Sequence, residues 1–238
     1  MKFENPVVEG KILKRYKRFL ADIELSNGET ITAHTANTGS MKTCWAPGWK
    51  VLLTHHNNPK RKLKYGLEMT HNGQTWIGVN TSWPNKLVIE AIKSQKIPEL
   101  TGYSDIRPEV KIGKSRIDIQ LSNDKLEKCY IEVKNVTLLG DNGAALFPDA
   151  ITTRGLKHIH ELIEIKKSGD RAVMFFVVQR SDIDHFRPAW KIDPEYSQAL
   201  LDASDKGVEI LCYQCKMDKE EIIIDKKIPS FLEPTASR

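Results

Sequence analysis

Residues 115–136, SRIDIQLSNDKLEKCYIEVKNV, carry the pattern that decides the fold of this chain. Apolar and polar residues alternate in SRIDIQL and again in CYIEVKN, which is typical of two half-buried β-strands. The polar link SNDKLEK is short, so the strands are expected to form an antiparallel hairpin. Because alternate side chains of a strand point to opposite faces, Asp118 lies on the polar face of its strand, and Glu132 and Lys134 share one face of theirs.

A turn near residues 124–125 would bring Asp118 and Glu132 to about 5–8 Å from each other at Cβ. Two carboxylates at that distance repel each other unless a cation such as Mg²⁺ or Mn²⁺ lies between them. Lys134, one pleat further along, can stabilise charge on a phosphate. These parts suit metal-assisted phosphodiester hydrolysis, with Asp118, Glu132 and Lys134 as catalytic residues. The alternative is a solvated sheet face with mixed charges, since a D…E-x-K spacing is common by chance.

Two further polar residues are candidates for the same catalytic site. Glu90 lies in LVIEAIKS, a mostly apolar predicted helix, and would add a third metal ligand if it faced inward; otherwise it is an exposed helix residue. Gln179 ends the strand AVMFFVVQ and would reach the site from there, or is a polar strand end.

The segments around the hairpin predict an α/β core. Asn85 is expected to cap the first helix, and Asp193 and Pro194 to start the last one. AVMFFVVQ is continuously apolar, as in a strand covered on both faces. The order from residue 85 is α-β-β-β-α-β-α-β, with strands at 106–112, 115–121 and 128–136, a helix at 153–168 ended by Gly169, the strand AVMFFVVQ, a helix from Asp193 to Gly207, and the strand VEILCYQC.

Residues 1–80 predict short strands without a helix of useful length. Asn27-Gly28 and Asn72-Gly73 are hairpin-turn dipeptides. Such a pattern fits a small β-barrel, of which an OB-type barrel is one option. The candidate strands are VVEGKILKRYK, RFLADIELSNG, ETITAHTA, WKVLLTHH, KLKYGLEMTHNG and TWIGVN.

The excess positive charge lies in the N-terminal third of the chain. Residues 1–80 hold 12 Lys/Arg against 6 Asp/Glu, whereas residues 81–238 hold 24 against 25. Basic residues interleaved with aromatic ones suit nucleic acid, although a solvated hairpin face would look the same. The candidate DNA contacts are Lys14, Arg15, Tyr16, Lys17, Arg18, Lys60, Arg61, Lys62 and Lys64, together with Arg154, Lys157 and His158 of the 153–168 helix, whose surface charge is itself ordinary for a helix.

The chain has no apolar run of membrane-spanning length and no apolar leader, so we expect a cytoplasmic protein. Four cysteines, at 44, 129, 212 and 215, should then be reduced. Cys212 and Cys215 have C-x-x-C spacing but lie in a predicted strand, and no second pair stands at zinc-finger spacing. Structural thiols are the expected role.

Long stretches of the sequence resemble the sugar fermentation stimulation protein A family. The resemblance is carried by FENPVVEGKILKRYKRFLADIEL, NTGSM, NPKRKLKY, GVNTSWPNKLVIEAI, ELTGYSDIRPEVKIGKSRIDIQL, CYIEVKNVTL, FPDAITTRGLKHIHEL, AVMFFVVQRSD and IDPEY. It implies an N-terminal OB-fold domain, a C-terminal PD-(D/E)XK nuclease-like domain, DNA binding mostly without sequence specificity, and a link to sugar, notably maltose, metabolism. It also implies that the nuclease-like motif falls on Asp118, Glu132 and Lys134, with Glu90 as the helix carboxylate.

The chain departs from the family pattern at two places. Thr35-Ala36 stands where Cys-Pro is expected, and Leu156 stands where Gln is expected, which removes a polar group from the predicted phosphate path. A helix-turn-helix described for some members would fall near 198–213. We do not expect one, because VEILCY predicts a strand.

The resulting prediction is a two-domain protein: an OB-like barrel at 1–82, a PD-(D/E)XK restriction-endonuclease-like α/β core at 83–230 and a frayed tail at 231–238. The expected function is double-stranded DNA binding with a Mg²⁺- or Mn²⁺-dependent endonuclease site of Asp118, Glu132 and Glu90. No membrane partner is expected, and a homodimer is one option for assembly. The alternatives are a non-catalytic DNA-binding regulator on the same fold and, third, a carbohydrate-binding protein or sugar-metabolic enzyme.

Overall fold

The computed structural model describes residues 1–4, 6–113 and 115–234, and every element below belongs to these residues. The first domain is built from strands alone. Its strands are β1 (Val7–Tyr16), β2 (Leu20–Leu25), β3 (Thr30–Thr35), β4 (Lys50–His55), β5 (Tyr65–His71) and β6 (Trp76–Gly78).

These strands form a closed barrel. Antiparallel neighbours follow the order β3-β2-β1-β4-β5-β6, and a parallel pairing of β3 with β5 closes β1 to β5 into a ring, with β6 added alongside β5. Ile12, Ile23, Val51 and Leu67 are among the apolar side chains that fill its core. Gly28 and Gly73 take positive φ angles of 85° and 96° in the two predicted hairpin turns. The predicted OB-type barrel is confirmed.

The second domain alternates helices and strands. In chain order it contains α1 (Pro84–Lys93), β7 (Asp105–Ile112), β8 (Ser115–Ser122), β9 (Cys129–Val136), β10 (Leu138–Leu139), β11 (Ala144–Phe147), α2 (Thr153–Lys167), β12 (Arg171–Val178), β13 (His185–Pro188), α3 (Pro194–Asp205), β14 (Glu209–Met217) and β15 (Ile222–Lys227).

The main sheet of this domain lies between two helical layers. Its order is β15-β14-β12-β9-β8-β7, with β9, β12 and β14 parallel. In β12, Phe175 packs in the core shared with α1, whereas Phe176 packs in the core shared with α2 and α3. The alternation confirms that AVMFFVV is a strand covered on both faces.

Some elements differ from the sequence prediction. A small sheet of β10, β11 and β13 and the edge strand β15 were not predicted, because short strands of this kind depend on partners distant in sequence. Asn85 does not cap α1: Trp83 is the N-cap residue, without a side-chain hydrogen bond. Asp193 does cap α3, accepting from the Tyr196 amide. No recognition helix follows α3 in the described chain, because β14 begins at Glu209.

The expectation of a frayed tail is wrong for residues 231–234, and residues 235–238 lie outside the described residues. The amide of Phe231 donates to the carbonyl of Phe186 at 3.0 Å. The indole of Trp190 donates to the Leu232 carbonyl at 2.9 Å. Backbone pairing and these side chains hold the segment against β13.

Polar contacts join the two domains. Arg180, only 1% exposed, donates to the carbonyl oxygens of Thr43 at 3.2 Å and Thr137 at 2.8 Å, and to both carboxylate oxygens of Asp182. Asn72 of the barrel donates to the same Asp182 at 2.9 Å. One buried guanidinium therefore links a barrel loop to the ends of β9 and β12.

The four cysteines are buried and free, in agreement with a structural role. Burial raises the pKa of the Cys129 thiol to about 12 and also raises the pKa of each of the other three. None of the helices in the described part of the chain combines the length and the apolar character that a bilayer crossing requires.

Candidate metal and nucleic-acid site

The candidate site lies where β8 and β9 separate. The two strands pair at Ile119↔Ile131 and run antiparallel. One residue further in this register, Asp118 stands against Glu132. The backbone pairing of β8 with β9 ends there. The Val133 amide donates to the side-chain Oδ2 of Asp118 at 2.8 Å instead of to a backbone carbonyl of β8. On the other side of β8, Glu109 of β7 stands at the level of Asp118 with a positive φ of 56° and interrupts the ladder without shifting its register.

Asp118 is held from α1. Asn85, in the first turn of that helix, donates from Nδ2 to Asp118 Oδ1 at 2.9 Å. Burial and the negative charge of Glu132 raise the pKa of Asp118, although the bonds from Val133 and Asn85 oppose the shift. The two carboxylates are therefore close enough to repel each other.

Glu132 is almost fully buried, at 2% exposure, and is held from the opposite helical layer. Its Oε1 accepts from Lys134 Nζ at 2.7 Å and is bonded to Nδ1 of His158 on α2. Burial alone would raise the pKa of Glu132, but the bonds from His158 and Lys134 outweigh burial and hold it below its ordinary value. Glu132 Oε2 is buried and makes no hydrogen bond to any described residue.

Tyr196 of α3 adds a second unpaired polar group nearby. Its side chain is fully buried, and its hydroxyl makes no hydrogen bond within the described residues. Burial and the charge of Glu132 raise the pKa of this phenol well above its ordinary value. The hydroxyl therefore remains protonated and is available as a donor on the buried side of Glu132.

Glu90 does not face the site, contrary to the expectation from the sequence. Its side chain is 49% exposed, and its Oε1 lies 2.9 Å from the Met1 amine. The inner face of α1 is apolar, with Leu87, Val88 and Ala91 buried, so the carboxylate turns outward. The helix residue that reaches Asp118 is Asn85, one turn earlier.

Gln179 is fully buried at the end of β12 and bonds neither carboxylate. Its Nε2 donates to Oδ1 of Asn135 at 2.7 Å, and its backbone carbonyl accepts from Gly78 of the barrel. Oε1 has no partner among the described residues. The structure thus places Gln179 at the domain boundary, next to the site but not in it.

The first basic cluster is the β1–β2 loop, and its members differ in role. Arg15 is half-buried and donates to the carbonyl oxygens of Asn37 and Gly39, which ties the loop to residues 37–40. Lys14 and Tyr16 both bond Asp22. Lys17 and Arg18 are exposed, at positive φ angles of 47° and 65°.

The second basic cluster is the β4–β5 loop. Lys60, Arg61, Lys62 and Lys64 are all exposed there. On α2, Arg154 and Lys157 are exposed, whereas His158 is buried against Glu132 and cannot contact DNA in this arrangement. Among the predicted DNA contacts, the exposed positive charges therefore lie mainly in the β1–β2 loop, the β4–β5 loop and the start of α2.

Sequence reasoning missed three residues of the site. The sequence predicts Asn85 as a helix cap and His158 as a phosphate contact, and its pattern gives no signal for Tyr196. The histidine carried a usable signal: it lies one residue before Ile159 on the buried face of α2, a position that a surface phosphate contact does not take.

Whether a divalent cation fits this site depends on the ligand atoms that Asp118, Glu132 and their neighbours offer. No group of three His, Cys, Asp or Glu side chains is assembled at metal-holding distance in the described chain. Asp118 and Glu132 are nevertheless two neighbouring carboxylates, one half-buried and one buried, and Glu132 Oε2 lacks a partner among the described residues. A hard cation satisfies both conditions, because it neutralises the repulsion and takes oxygen ligands.

Comparisons with known proteins cover both domains. Residues 13–79 match the family model described as the SfsA N-terminal OB domain, and residues 82–221 match the sugar fermentation stimulation protein RE domain.

Two relatives are similar along nearly their whole length. The sugar fermentation stimulation protein homolog of Geotalea uraniireducens is 51% identical over 230 residues, covering 96% of this chain and 98% of the relative. The homolog of Geotalea daltonii is 50% identical over 228 residues, covering 95% and 98%.

A solved structure is similar as well. Pyrococcus furiosus SfsA in complex with Ca²⁺ superposes with a TM-score of 0.86 at 27% identity, covering 97% of this chain and 98% of that one.

Proposed function

Because the chain belongs to the sugar fermentation stimulation protein family, we propose that it binds double-stranded DNA largely without sequence specificity and holds a divalent cation between Asp118 and Glu132. The observation that carries the proposal is the pair of carboxylates, Glu132 buried and Asp118 half-buried, at the point where β8 and β9 separate, with Lys134 at 2.7 Å from Glu132. The reaction class that suits this arrangement is metal-dependent hydrolysis of a phosphodiester.

The positions of the basic loops support DNA binding. In OB-type barrels, the loops between strands 1 and 2 and between strands 4 and 5 are the usual contacts for nucleic acid. Here these two loops carry Lys17 and Arg18, and Lys60 to Lys64. Loop 37–40, held by Arg15, continues the surface toward α2, because Ser40 bonds Asp149 shortly before that helix begins.

A divalent cation would supply chemistry that the side chains of this site do not supply by themselves. Bound between the carboxylates, it would neutralise charge at a phosphoryl oxygen and promote hydrolysis by water. SfsA of Pyrococcus furiosus, similar along the whole chain, was solved with Ca²⁺. For this chain we propose Mg²⁺ or Mn²⁺ as the working ion, held by one oxygen of Asp118 and by Oε2 of Glu132.

The other residues have roles that follow from their contacts. Asn85 fixes Asp118 from α1, and His158 fixes Glu132 from α2, so each carboxylate keeps its orientation without the cation. Lys134 bonds Glu132 and is 14% exposed, so it can turn toward an incoming phosphate. The Tyr196 hydroxyl is a further buried polar group near Glu132 that has no partner among the described residues.

A second candidate function is a non-catalytic DNA-binding regulator on the same fold. Its support is that Lys134 and His158 already satisfy one oxygen of Glu132 and that three acidic or imidazole ligands do not meet in the described residues. In that case the link to sugar metabolism in the family name would rest on DNA binding alone.

The deciding experiment incubates the purified protein with plasmid, linear and branched DNA in Mg²⁺ and in Mn²⁺. Cleavage by the wild type, retained by Glu90→Ala and abolished by the Asp118→Ala, Glu132→Ala double variant, is expected. Binding of DNA by all three proteins without cleavage of any substrate would leave the regulator. Absence of DNA binding would overturn both candidates.

A further inference from the structure

A small cleft opens at the domain boundary beside the candidate site. Its volume is about 200 Å³, and it is lined by residues of both domains, among them Asn37, Thr81, Asn135, Phe147 and Asp149. Asn135 lies on β9 three residues after Glu132, so one strand contributes both to the cleft and to the proposed metal site. Sites for drug-sized ligands usually measure about 300–1,000 Å³, so this one suits a smaller group, such as a single heterocycle.

The lining combines an apolar wall with polar groups that lack partners. Phe147 forms part of the wall, and its ring is held by the rings of Phe176 and Tyr196, at centroid distances of 5.7 and 5.3 Å. Asn135 uses Oδ1 to accept from Gln179, while its Nδ2 makes no hydrogen bond among the described residues. A rigid aromatic wall with a free amide donor is a common setting for an unstacked base.

Asp149 is the charged member of the lining. Its Oδ2 accepts from the amide of Ser40 at 3.0 Å and from its hydroxyl at 2.9 Å, whereas Oδ1 makes no hydrogen bond within the described chain. None of the lining residues that the structure describes is a lysine or arginine. Arg15 lies outside the lining but near enough to interact with the Asp149 charge. The lining itself offers a carboxylate and no cation, which disfavours a phosphate and favours a group that donates hydrogen bonds.

The basic side chains that could hold a phosphate lie just outside the cleft. Loop 37–40 contributes Asn37 to the lining, and its carbonyl oxygens accept from Arg15 and from Arg18, the latter at 3.1 Å from Thr38. The basic β1–β2 loop is therefore fastened to one wall of the cleft. A nucleotide whose phosphate meets Lys17 or Arg18 would have its base beside the cleft, whose described lining carries the Asp149 carboxylate and no lysine or arginine.

We propose that this cleft receives one unstacked nucleobase of the bound DNA, and that Asp149 and Asn135 select a base with an exocyclic amino group (cytosine, adenine or guanine) over thymine. The inference rests on the DNA-binding function proposed above and specifies which part of the bound DNA enters the protein. Carboxylates accept from the cytosine amino group and Asn pairs with the adenine edge, whereas thymine offers no amino donor.

The test compares duplexes that carry a single bulged C, A or T, with binding measured by fluorescence anisotropy without metal. The wild type is expected to bind bulged C or A about tenfold more tightly than bulged T, because one good base pairing is worth that discrimination. A bulged 2-aminopurine should also change its fluorescence on binding, since the base enters a new environment.

Asp149→Asn is the specific variant. The new Oδ1 can still accept from Ser40, while an NH₂ group replaces the oxygen that faces the cleft, so the preference for C and A over T should disappear. Asp124→Asn, an exposed carboxylate in the β8–β9 turn, is the matched control and should behave as wild type. If Asp149→Asn melts early, Asn135→Ala, which removes the free amide, is measured for the same loss.

The outcomes separate this inference from the proposed function. Equal binding of all bulged duplexes, unchanged by Asp149→Asn and without a 2-aminopurine signal, overturns the base site and leaves DNA binding intact. Free deoxycytidine binding as tightly as the bulged duplex would make the cleft a nucleoside site and would also overturn the inference. Failure to bind any DNA overturns the proposed function itself.

Discussion

Gly78 of the barrel lies directly against Gln179 of the second domain: its amide donates to the Gln179 carbonyl at 2.9 Å. A Cβ atom at position 78 would stand 2.5 Å from Gln179 Oε1 and 2.9 Å from its Cδ. The Gln179 side chain cannot move away freely, because it is fully buried and bonded to Asn135. The close approach of the domains therefore requires glycine here.

We expect Gly78→Ala to lower the free energy of unfolding by about 1–3 kcal/mol, the usual cost of overpacking. Urea denaturation measures it. Gln179→Ala in the same background removes the clashing atoms, so the double variant should lose less stability than the sum of the two single variants. Additive losses would mean that the two residues do not interact.

Asn85 and Glu90 lie on the same helix, but only Asn85 bonds Asp118, so the two residues can serve as test and control. Asn85→Ala should weaken Mn²⁺ binding by about 10–100-fold, as is usual when a residue that orients a metal ligand is removed. Glu90→Ala should leave binding unchanged, because its carboxylate points to solvent. Calorimetric titration measures both. An equal loss in the two variants would place Glu90 at the metal after all.

The Arg180–Asp182 ion pair should make the domain boundary sensitive to acid. Burial alone would raise the pKa of Asp182, but bonds from Arg180 and Asn72 hold it below its ordinary value near 3.8. The stabilisation is therefore complete above that ordinary value and is lost as the pH falls through the lower value of the folded protein.

At neutral pH, Asp182→Asn should cost about 3–5 kcal/mol, because it leaves the Arg180 guanidinium buried without a counter-charge. The difference from wild type should shrink once the pH is below the ordinary value of 3.8. Asp184→Asn, at a side chain that is 75% exposed, is the control and should cost little. A pH-independent difference would contradict the ion-pair explanation.

The β4–β5 loop should contribute to the salt dependence of DNA binding. Replacing Lys60 and Lys62 with Ala should reduce the slope of log K against log salt by about 0.9 for each DNA phosphate that the loop no longer neutralises. Replacing Lys96 and Lys125, which are also exposed, removes the same charge from other surfaces and should leave the slope nearer to wild type. Equal slopes in the two double variants would show that only net charge matters.

The sequence predicted those parts of the fold that depend on local patterns. The barrel strands, the hairpin that carries Asp118 and Glu132, and the cap at Asp193 all follow from alternation, turn dipeptides and capping chemistry. β11 and β13 escaped prediction, because each is short and pairs in parallel with a segment about 40 residues away.

The candidate site was predictable in its strand residues and not in its helix residues. Strand periodicity of two fixes which face a side chain takes, so Asp118, Glu132 and Lys134 could be grouped. The rotation of α1 and α2 about their own axes depends on tertiary packing. Asn85 therefore bonds Asp118 instead of capping α1, Glu90 faces outward, and His158 faces Glu132.

The positive-φ backbone at Glu109 has a consequence for how this protein behaves at high concentration. β7 is an outer strand of its sheet, and outer strands with free backbone groups tend to recruit strands from other molecules. Here the strand contains Pro108, an irregular residue at Glu109 and exposed charges at Arg107 and Lys111. Each of these features interrupts a regular row of donors and acceptors, so the same distortion that stands beside the acidic pair also protects the molecule from edge-to-edge aggregation.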